Sequence, residues 1–168
     1  MEIEKKFVVR DINKVNEIIS KYSKKQITQD YLYVDTYTSI RKRKVEQNNN
    51  TKYFYTVKTM KVGISVNEIE KEISKEEYNS LKINEDYTTL LKDRYIIPYI
   101  DNLKIEMDVF KGKYEGIIFA EIEFESEEQA AKTAIPEWFD EEISKKITNS
   151  KMATQNIEKM KEEIGYEK

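Results

Sequence analysis

Glu2-Ile3-Glu4-Lys5-Lys6-Phe7-Val8-Val9 alternates charged and apolar side chains along most of its length. In a strand, residues two apart share a face. Glu2, Glu4 and Lys6 therefore point one way, and Ile3 and Phe7 the other. Working outward from this stretch, the pattern recurs: strands are expected over roughly 2–9, 27–35, 39–45, 52–59, 65–73, 88–97, 103–111 and 117–125. Each carries a charged face: Arg41 and Arg43; Lys58 two residues after Thr56; Glu68, Glu70 and Glu72; Lys92 and Arg94; Glu106 and Asp108; Glu121, Glu123 and Glu125. The opposite faces hold Ile69, Ile73, Ile105, Met107, Val109, Ile122 and Phe124.

Short polar breaks separate the strands, as hairpin loops do: 48–50, 61–63, 97–102 and 112–116. Helical signals interrupt them. Asp11 caps 12–21, where Val15, Ile18, Ile19 and Tyr22 share a side. Ser74 with Glu77 is a capping box, and Ser126 with Gln129 repeats the signal. Pro136 is expected to open a turn of helix bearing Trp138 and Phe139. A last helix is expected over about 150–164, with Ala153, Ile157, Met160 and Ile164 at helical spacing and Gly165 as its cap.

An amphipathic sheet with its polar face in water would explain any one strand. Two features favour another arrangement. Solvated faces mix signs, whereas here like charges repeat within a strand, which is unfavourable unless something neutralises them. An antiparallel set of eight strands can also close. The expected fold is therefore α+β: an eight-stranded antiparallel β-barrel forming a tunnel, with helices packed outside and a C-terminal helix, all in one domain over 1–168. Closure with the apolar face outward turns the charges inward.

Composition narrows the chemistry. The 168 residues include no His and no Cys, which excludes imidazole bases, thiol nucleophiles, zinc–thiolate sites and disulfides. Twenty-nine basic against thirty-two acidic residues, net charge −3, argue against sequence-specific nucleic-acid binding. The 12 Tyr and 6 Phe argue against disorder. No apolar run is long enough for a membrane span, and the charged start is unlike a signal peptide, so a cytoplasmic location is expected. A charged interior needs contents. Cations drawn from several strands suit a phosphate chain, and carboxylates among them suit Mg²⁺ or Mn²⁺, which bridge to phosphate oxygens.

At this point the chain resembles the CYTH superfamily, the triphosphate tunnel metalloenzymes. Glu2-Ile3-Glu4-Lys5-Lys6 matches the family's E-x-E-x-K first strand. Arg41-Lys42-Arg43, Thr56-Val57-Lys58, Glu68-Ile69-Glu70 after Gly63, Lys92-Asp93-Arg94, Asp108-Val109-Phe110 and Glu121-Ile122-Glu123-Phe124 match later strands in order. Asn149-Ser150-Lys151-Met152-Ala153 looks like the family's C-terminal segment. Val66 departs from the pattern, since members often carry Arg there, and no His stands near the first strand, where cyclase-type members often place one.

The resemblance implies hydrolysis of a short linear triphosphate, with inorganic tripolyphosphate going to pyrophosphate and phosphate. Alternatives are a non-catalytic triphosphate-binding module, or class IV adenylate cyclase or thiamine triphosphatase activity. It assigns substrate binding to Lys6, Arg41, Arg43, Lys58, Lys92 and Arg94. Glu2, Glu4, Asp108, Glu121 and Glu123 are expected to surround one or two divalent ions, and Lys6, Glu4 and Glu68 to serve catalysis. For each acidic residue the competing role is a structural ion pair in the tunnel, most of all for Glu70, Glu72 and Glu125. Tyr31 and Tyr33 read as packing, Trp138 and Phe139 as anchors, and Lys5 and Arg10 as surface or helix-docking charges. The C-terminal helix is expected to plug one mouth, the alternative being a dimer contact; monomer and dimer both stay open. The turn at 61–63 is expected to be a mobile loop at the other mouth.

Overall fold

The computed structural model describes residues 1–60, 65–144 and 146–165, with only the backbone of Met60 and Ser65. The described residues form eight strands: β1 (Glu2–Val8), β2 (Lys24–Val34), β3 (Thr38–Gln47), β4 (Asn50–Met60), β5 (Ser65–Ile73), β6 (Leu90–Pro98), β7 (Lys104–Lys111) and β8 (Ile118–Phe124). They close into an antiparallel barrel in the order β1-β5-β4-β3-β2-β6-β7-β8. The expected turn at 61–63 lies outside the described residues.

Turn chemistry sets the hairpins. Asn48 and Asn49 take φ of 51° and 64° between the paired residues Gln47 and Asn50, a left-handed conformation that asparagine tolerates. Asp101 and Asn102 do the same between β6 and β7.

The described residues also form five α-helices, α1 (Ile12–Lys21), α2 (Lys75–Ser80), α3 (Glu127–Lys132), α4 (Asn149–Thr154) and α5 (Ile157–Glu163), and two short 3-10 turns at Ile100–Asn102 and Gly112–Tyr114. Asp11 caps α1, and Ser74 with Glu77 forms the expected capping box on α2. Ser126 caps α3, but Gln129 reaches back to the Glu125 amide rather than to Ser126.

Two apolar clusters explain how charge is turned inward. The outward faces of β1, β6, β7 and β8, with Ile3, Phe7, Tyr95, Ile105, Met107 and Ile122, are buried under Val15 and Ile18 of α1, Ala130 of α3 and Phe139. A second cluster fills one end of the barrel: Val8, Leu90, Phe110 and Phe119 meet Ile143, Ile147, Met152, Met160 and Ile164 from the C-terminal segment. Arg10 donates to the Ile164 carbonyl at the end of α5, and Lys5 donates to the Ala130 carbonyl, so both dock helices as expected. Lys5 sits 2.9 Å from its acceptor.

Three expectations are corrected. The C-terminal helix is two short ones, because Gln155 leaves helical geometry and Asn156 caps α5 by accepting from the Lys159 amide. Pro136 opens a single turn, closed by the Phe139 amide on the Pro136 carbonyl, and no helix follows. The next amides are recruited elsewhere: Asp140 N–H donates to the Val8 carbonyl at 2.8 Å, and Ile143 N–H to the Lys6 carbonyl at 2.8 Å. Among the described residues β1 pairs with β5 at Glu2 and Ile3, and this segment bonds the β1 backbone further along, at Lys6 and Val8. Finally, Ile69 is 72% exposed rather than packed.

Candidate active site

The inward face of the barrel encloses a cavity of about 620 Å³. Register places its charges. Lys6 lies opposite Glu121 and Glu4 opposite Glu123 across β1 and β8. Lys58 faces Glu68 across β4 and β5. Arg94 faces Asp108 across β6 and β7, and Glu106 faces Glu121 across β7 and β8. Arg41 and Arg43 enter from β3, with Thr56 and Phe54 as their neighbours on β4. Ser144 and residues 147–151 roof the cavity. A second chamber of about 630 Å³ opens at the opposite mouth, and Arg43, Arg94 and Glu106 line both. The barrel is thus a tunnel, constricted where these three side chains meet.

Ion pairs tie the walls together. Lys58 Nζ lies 3.0 Å from Glu2 Oε1 and 3.7 Å from Glu68 Oε2. Arg43 Nη2 holds Glu70 Oε1 at 2.8 Å, and the Thr56 hydroxyl donates to the same oxygen at 3.2 Å. Arg94 Nη1 reaches Glu106 Oε2 at 2.7 Å, and its Nε and Nη2 grip Asp108 at 2.8 and 3.0 Å. Lys6 Nζ stands 3.6 Å from Glu121 Oε2. Arg41 differs: among the described residues no carboxylate comes within salt-bridge distance of it, and its Nε is buried without a partner. Glu4 and Glu123 likewise form no ion pair among the described residues.

Burial and neighbours sort the carboxylates into two groups. Burial, then Glu68, pushes Glu2 up to about 7, against the pull of Lys58. Burial and the Glu121 charge push Glu4 well above the ordinary range, and burial with Glu2 and Glu106 raises Glu123. Glu121 goes the other way: burial would raise it, but Lys6 and Arg94 hold it down to about 2. The cations respond in kind. Burial would lower Lys58, as Arg41 would, but Glu4, Glu2 and Glu68 outweigh both and hold it above its ordinary range. Burial lowers Arg43 to about 10, with Arg41 and Arg94 adding to the effect. Burial lowers Lys92 to about 7 against the pull of Asp108.

This has a measurable consequence. A carboxyl whose folded pKa is raised stabilises the fold only while protonated, so stability is full below the unfolded pKa and is lost as pH rises through the folded value. For Glu2 that window runs from 4.5 to about 7. Melting temperature in EDTA is expected to fall as pH is raised from 5 to 8, by a few degrees. Divalent metal should flatten the slope, because it neutralises the charges that develop. A melting temperature that does not fall over this range in EDTA would contradict the assignment.

Most of the expected residues converge on the cavity: Glu2, Glu4, Lys6, Arg41, Arg43, Lys58, Glu68, Arg94, Glu121 and Glu123 all line it. Lys92 and Asp108 do not. The Lys92 side chain is fully buried beneath the wall, 2.8 Å from Asp108 Oδ2, and Asp108 is spent on Lys92 and Arg94. Three features escaped sequence reading. Tyr31 packs in the second apolar cluster as expected, and it also lines the cavity beside Arg41, its hydroxyl accepting from Gln29 Nε2 at 2.8 Å. The signal was available, since Tyr31 stands two residues from Gln29 and pairs with Arg41 across β2 and β3. Glu106 faces the cavity, as its place on the charged face of β7 predicts, but had been given no part in the site. Ser144 and Thr148 reach the roof through a chain path that no local pattern announces.

The donor set suits a hard divalent cation. Among the described residues no three carboxylates already converge as a ligand group. However, Glu4 and Glu123 are cross-strand neighbours with no ion pair among the described residues, Glu2 lies on the same face, and a buried Glu68 oxygen lacks a hydrogen-bond partner. Oxygen ligands carrying unbalanced negative charge are what Mg²⁺ and Mn²⁺ require.

No family model matches the chain. Curated relatives do. It is 33% identical over 129 residues to an inorganic triphosphatase of Nitrosomonas europaea, covering 76% of this chain and 83% of that one. It is 32% identical over 145 residues to an inorganic triphosphatase of Acetivibrio thermocellus, covering 85% of each. Among solved structures, that of an inorganic triphosphatase superposes with a TM-score of 0.61 at 28% identity, covering 93% of this chain and 96% of that one. A putative adenylyl cyclase from Hippeastrum, described as having a dominant triphosphatase activity, shares the fold at 15% identity and a TM-score of 0.55, with 78% of this chain and 83% of that one covered. With E-x-E-x-K on β1, paired cations on β3 and β6 and acidic pairs on β5 and β8, all inside one closed eight-stranded barrel, this chain belongs to the CYTH superfamily of triphosphate tunnel enzymes, among its inorganic triphosphatases.

Proposed function

We propose that the protein hydrolyses inorganic tripolyphosphate to pyrophosphate and phosphate, using Mg²⁺ or Mn²⁺. One observation carries this: a bank of cations (Lys6, Arg41, Arg43, Lys58, Arg94) and a bank of carboxylates (Glu2, Glu4, Glu121, Glu123) share one enclosed cavity of about 620 Å³. Such a clamp recognises phosphates alone and needs no pocket for a base or sugar. The two curated relatives support the same substrate class.

The chain's own residues divide the work. Arg41 and Lys58 hold phosphate oxygens with charge-assisted hydrogen bonds, Arg41 from a guanidinium whose Nε has no protein partner. Arg43 and Arg94 stand at the constriction and grip the far end of the substrate. Lys6, buried beside Glu121, places a fixed positive charge where the leaving group develops negative charge. Glu2, Glu4, Glu121 and Glu123 would hold the divalent ion, which when bound neutralises phosphoryl oxygens and lowers the pKa of coordinated water. Glu4 and Glu68 are the carboxylates with capacity to accept the proton of the attacking water: Glu4 has a raised pKa, and Glu68 Oε2 is buried without a hydrogen-bond donor, 3.7 Å from Lys58 Nζ.

The test is a substrate panel. Tripolyphosphate, ATP, thiamine triphosphate and pyrophosphate are each incubated with Mg²⁺ and with Mn²⁺, and released phosphate and cyclic AMP are measured. The expected result is that kcat/KM for tripolyphosphate exceeds that for the other substrates by about 10-fold or more, with no cyclic AMP. Tight tripolyphosphate binding without phosphate release would instead identify a binding module.

A further inference from the structure

Lys92 is a basic residue in a tunnel of basic residues, yet it does not face the ligand. Its side chain is 0% exposed, it does not line the cavity, and its ammonium lies 5.6 Å from the centre of the Phe110 ring, at the edge of the apolar plug. Its ion pair is to Asp108, at 2.8 Å. Asp108 in turn grips Arg94 side-on, through Nε at 2.8 Å and Nη2 at 3.0 Å. The same Asp108 oxygen, Oδ2, serves both Lys92 and Arg94 Nη2. Arg94, unlike the other two, reaches the cavity and the constriction.

We propose that Lys92 and Asp108 are positioning residues for Arg94: Asp108 fixes the plane of the guanidinium, and Lys92 neutralises Asp108 so that the Arg94 charge remains available to the substrate. The reasoning is a count of donors and charges. A guanidinium has five N–H donors. Two go to Asp108 and one to Glu106 Oε2 at 2.7 Å, which leaves two for phosphate oxygens. With Lys92 protonated, as the 2.8 Å pair to Asp108 favours, Lys92, Arg94, Asp108 and Glu106 together are neutral. Without Lys92 the cluster carries a net negative charge next to the point where a polyanion must dock. Its effect is strengthened by burial, because low dielectric weakens screening. This inference refines the triphosphatase reading and rests on it. It departs from the expectation that Lys92 touches phosphate and Asp108 touches metal.

A double-mutant cycle decides the matter, using Lys92→Met, Asp108→Asn and the double variant, with tripolyphosphate as the probe. Both turnover and calorimetric binding of tripolyphosphate are measured, so the cycle is readable even if the wild type binds without hydrolysing. Absence of turnover in the wild type would count against the proposed function and not against this inference. In the wild-type background, Lys92→Met is expected to raise KM, or the dissociation constant, about 10-fold. In the Asp108→Asn background the same substitution should change it by less than about 2-fold, because the charge that Lys92 neutralises is gone. An equal loss in both backgrounds would show that Lys92 contacts substrate directly and would overturn the proposal. Should Lys92→Met fail to fold, Asp108→Asn alone still decides. A positioning role predicts an about 10-fold lower kcat, or tripolyphosphate affinity, at an unchanged half-maximal metal concentration. A rise in the metal requirement would make Asp108 a ligand and overturn the assignment.

Discussion

Arg41→Ala is expected to lower kcat/KM for tripolyphosphate by about 10²-fold or more, which is about 2.7 kcal/mol of lost transition-state stabilisation. Arg41 is singled out because its charge is not already committed. Lys58, Arg43 and Arg94 all lie within 3.0 Å of a carboxylate oxygen, whereas Arg41 has no such partner among the described residues. It is nearly buried, with 6% exposure, and its Nε lacks a hydrogen bond. Burial would weaken its charge, but Tyr31, Glu68 and Glu70 reverse that and keep it protonated at any working pH. A buried, charged guanidinium with an unsatisfied Nε and no carboxylate partner among the described residues is costly to the fold unless a ligand completes it. Removing it should therefore damage function more than stability: melting temperature in the absence of ligand is expected to hold or rise while turnover collapses. Initial rates across a tripolyphosphate titration, with melting curves alongside, test both halves. Near-wild-type kinetics would remove Arg41 from the clamp.

The second large effect concerns metal. Chelation with EDTA is expected to abolish turnover, with recovery on adding back Mg²⁺ or Mn²⁺. The physical reason is charge. Glu2, Glu4 and Glu123 have pKa values raised by burial and by neighbouring carboxylates, Glu68 for Glu2, Glu121 for Glu4 and Glu2 for Glu123, so each ionises at a cost that a bound cation would offset. A phosphate chain entering without metal meets that same bank of carboxylates. Glu4→Gln keeps the shape and removes one charge. It should lower kcat about 10²-fold and raise the metal concentration needed for half-maximal rate. It should also stabilise the metal-free protein above pH 7, since a charge that the fold tolerates poorly is gone. Opposite signs for activity and metal-free stability distinguish a metal ligand from a structural ion pair. Full turnover in EDTA would sink the metal requirement outright.

Legibility followed the physics of each element. The end of β5 at Ile73 matches the expectation because Ser74 caps the next helix. β6 was drawn two residues early, starting at Thr88 rather than Leu90. The Thr88 amide is taken by the Ala153 carbonyl at 2.7 Å, a contact sixty-five residues distant that no local pattern reveals. The long C-terminal helix was overextended for a related reason. Apolar spacing continued across Gln155, but the capping side chain of Asn156 and the fit into the barrel end outweighed it. Among site residues, period-two reasoning identified which side chains point inward and could not tell which inward side chains reach the cavity. Lys92 and Arg94 have the same pattern on the same strand. Only Arg94 lines the tunnel; Lys92 is sealed behind Asp108 and Phe110.

The sequence by itself determined the strand faces, the sign of the charge on each, the exclusion of His and Cys chemistry, and hence a barrel with a charged interior suited to phosphate and a hard metal. These depend on alternation and composition, which are local and survive any small shift in packing. Tertiary structure decided which charges are free and which are spent. It paired Lys58 with Glu2, and Arg94 with Asp108 and Glu106; it left Arg41 and Glu4 without an ion-pair partner among the described residues, brought Tyr31 into the cavity, and bonded residues 140–143 to the β1 backbone. Those outcomes depend on register around a closed barrel, where a shift by one residue would exchange every pair at once.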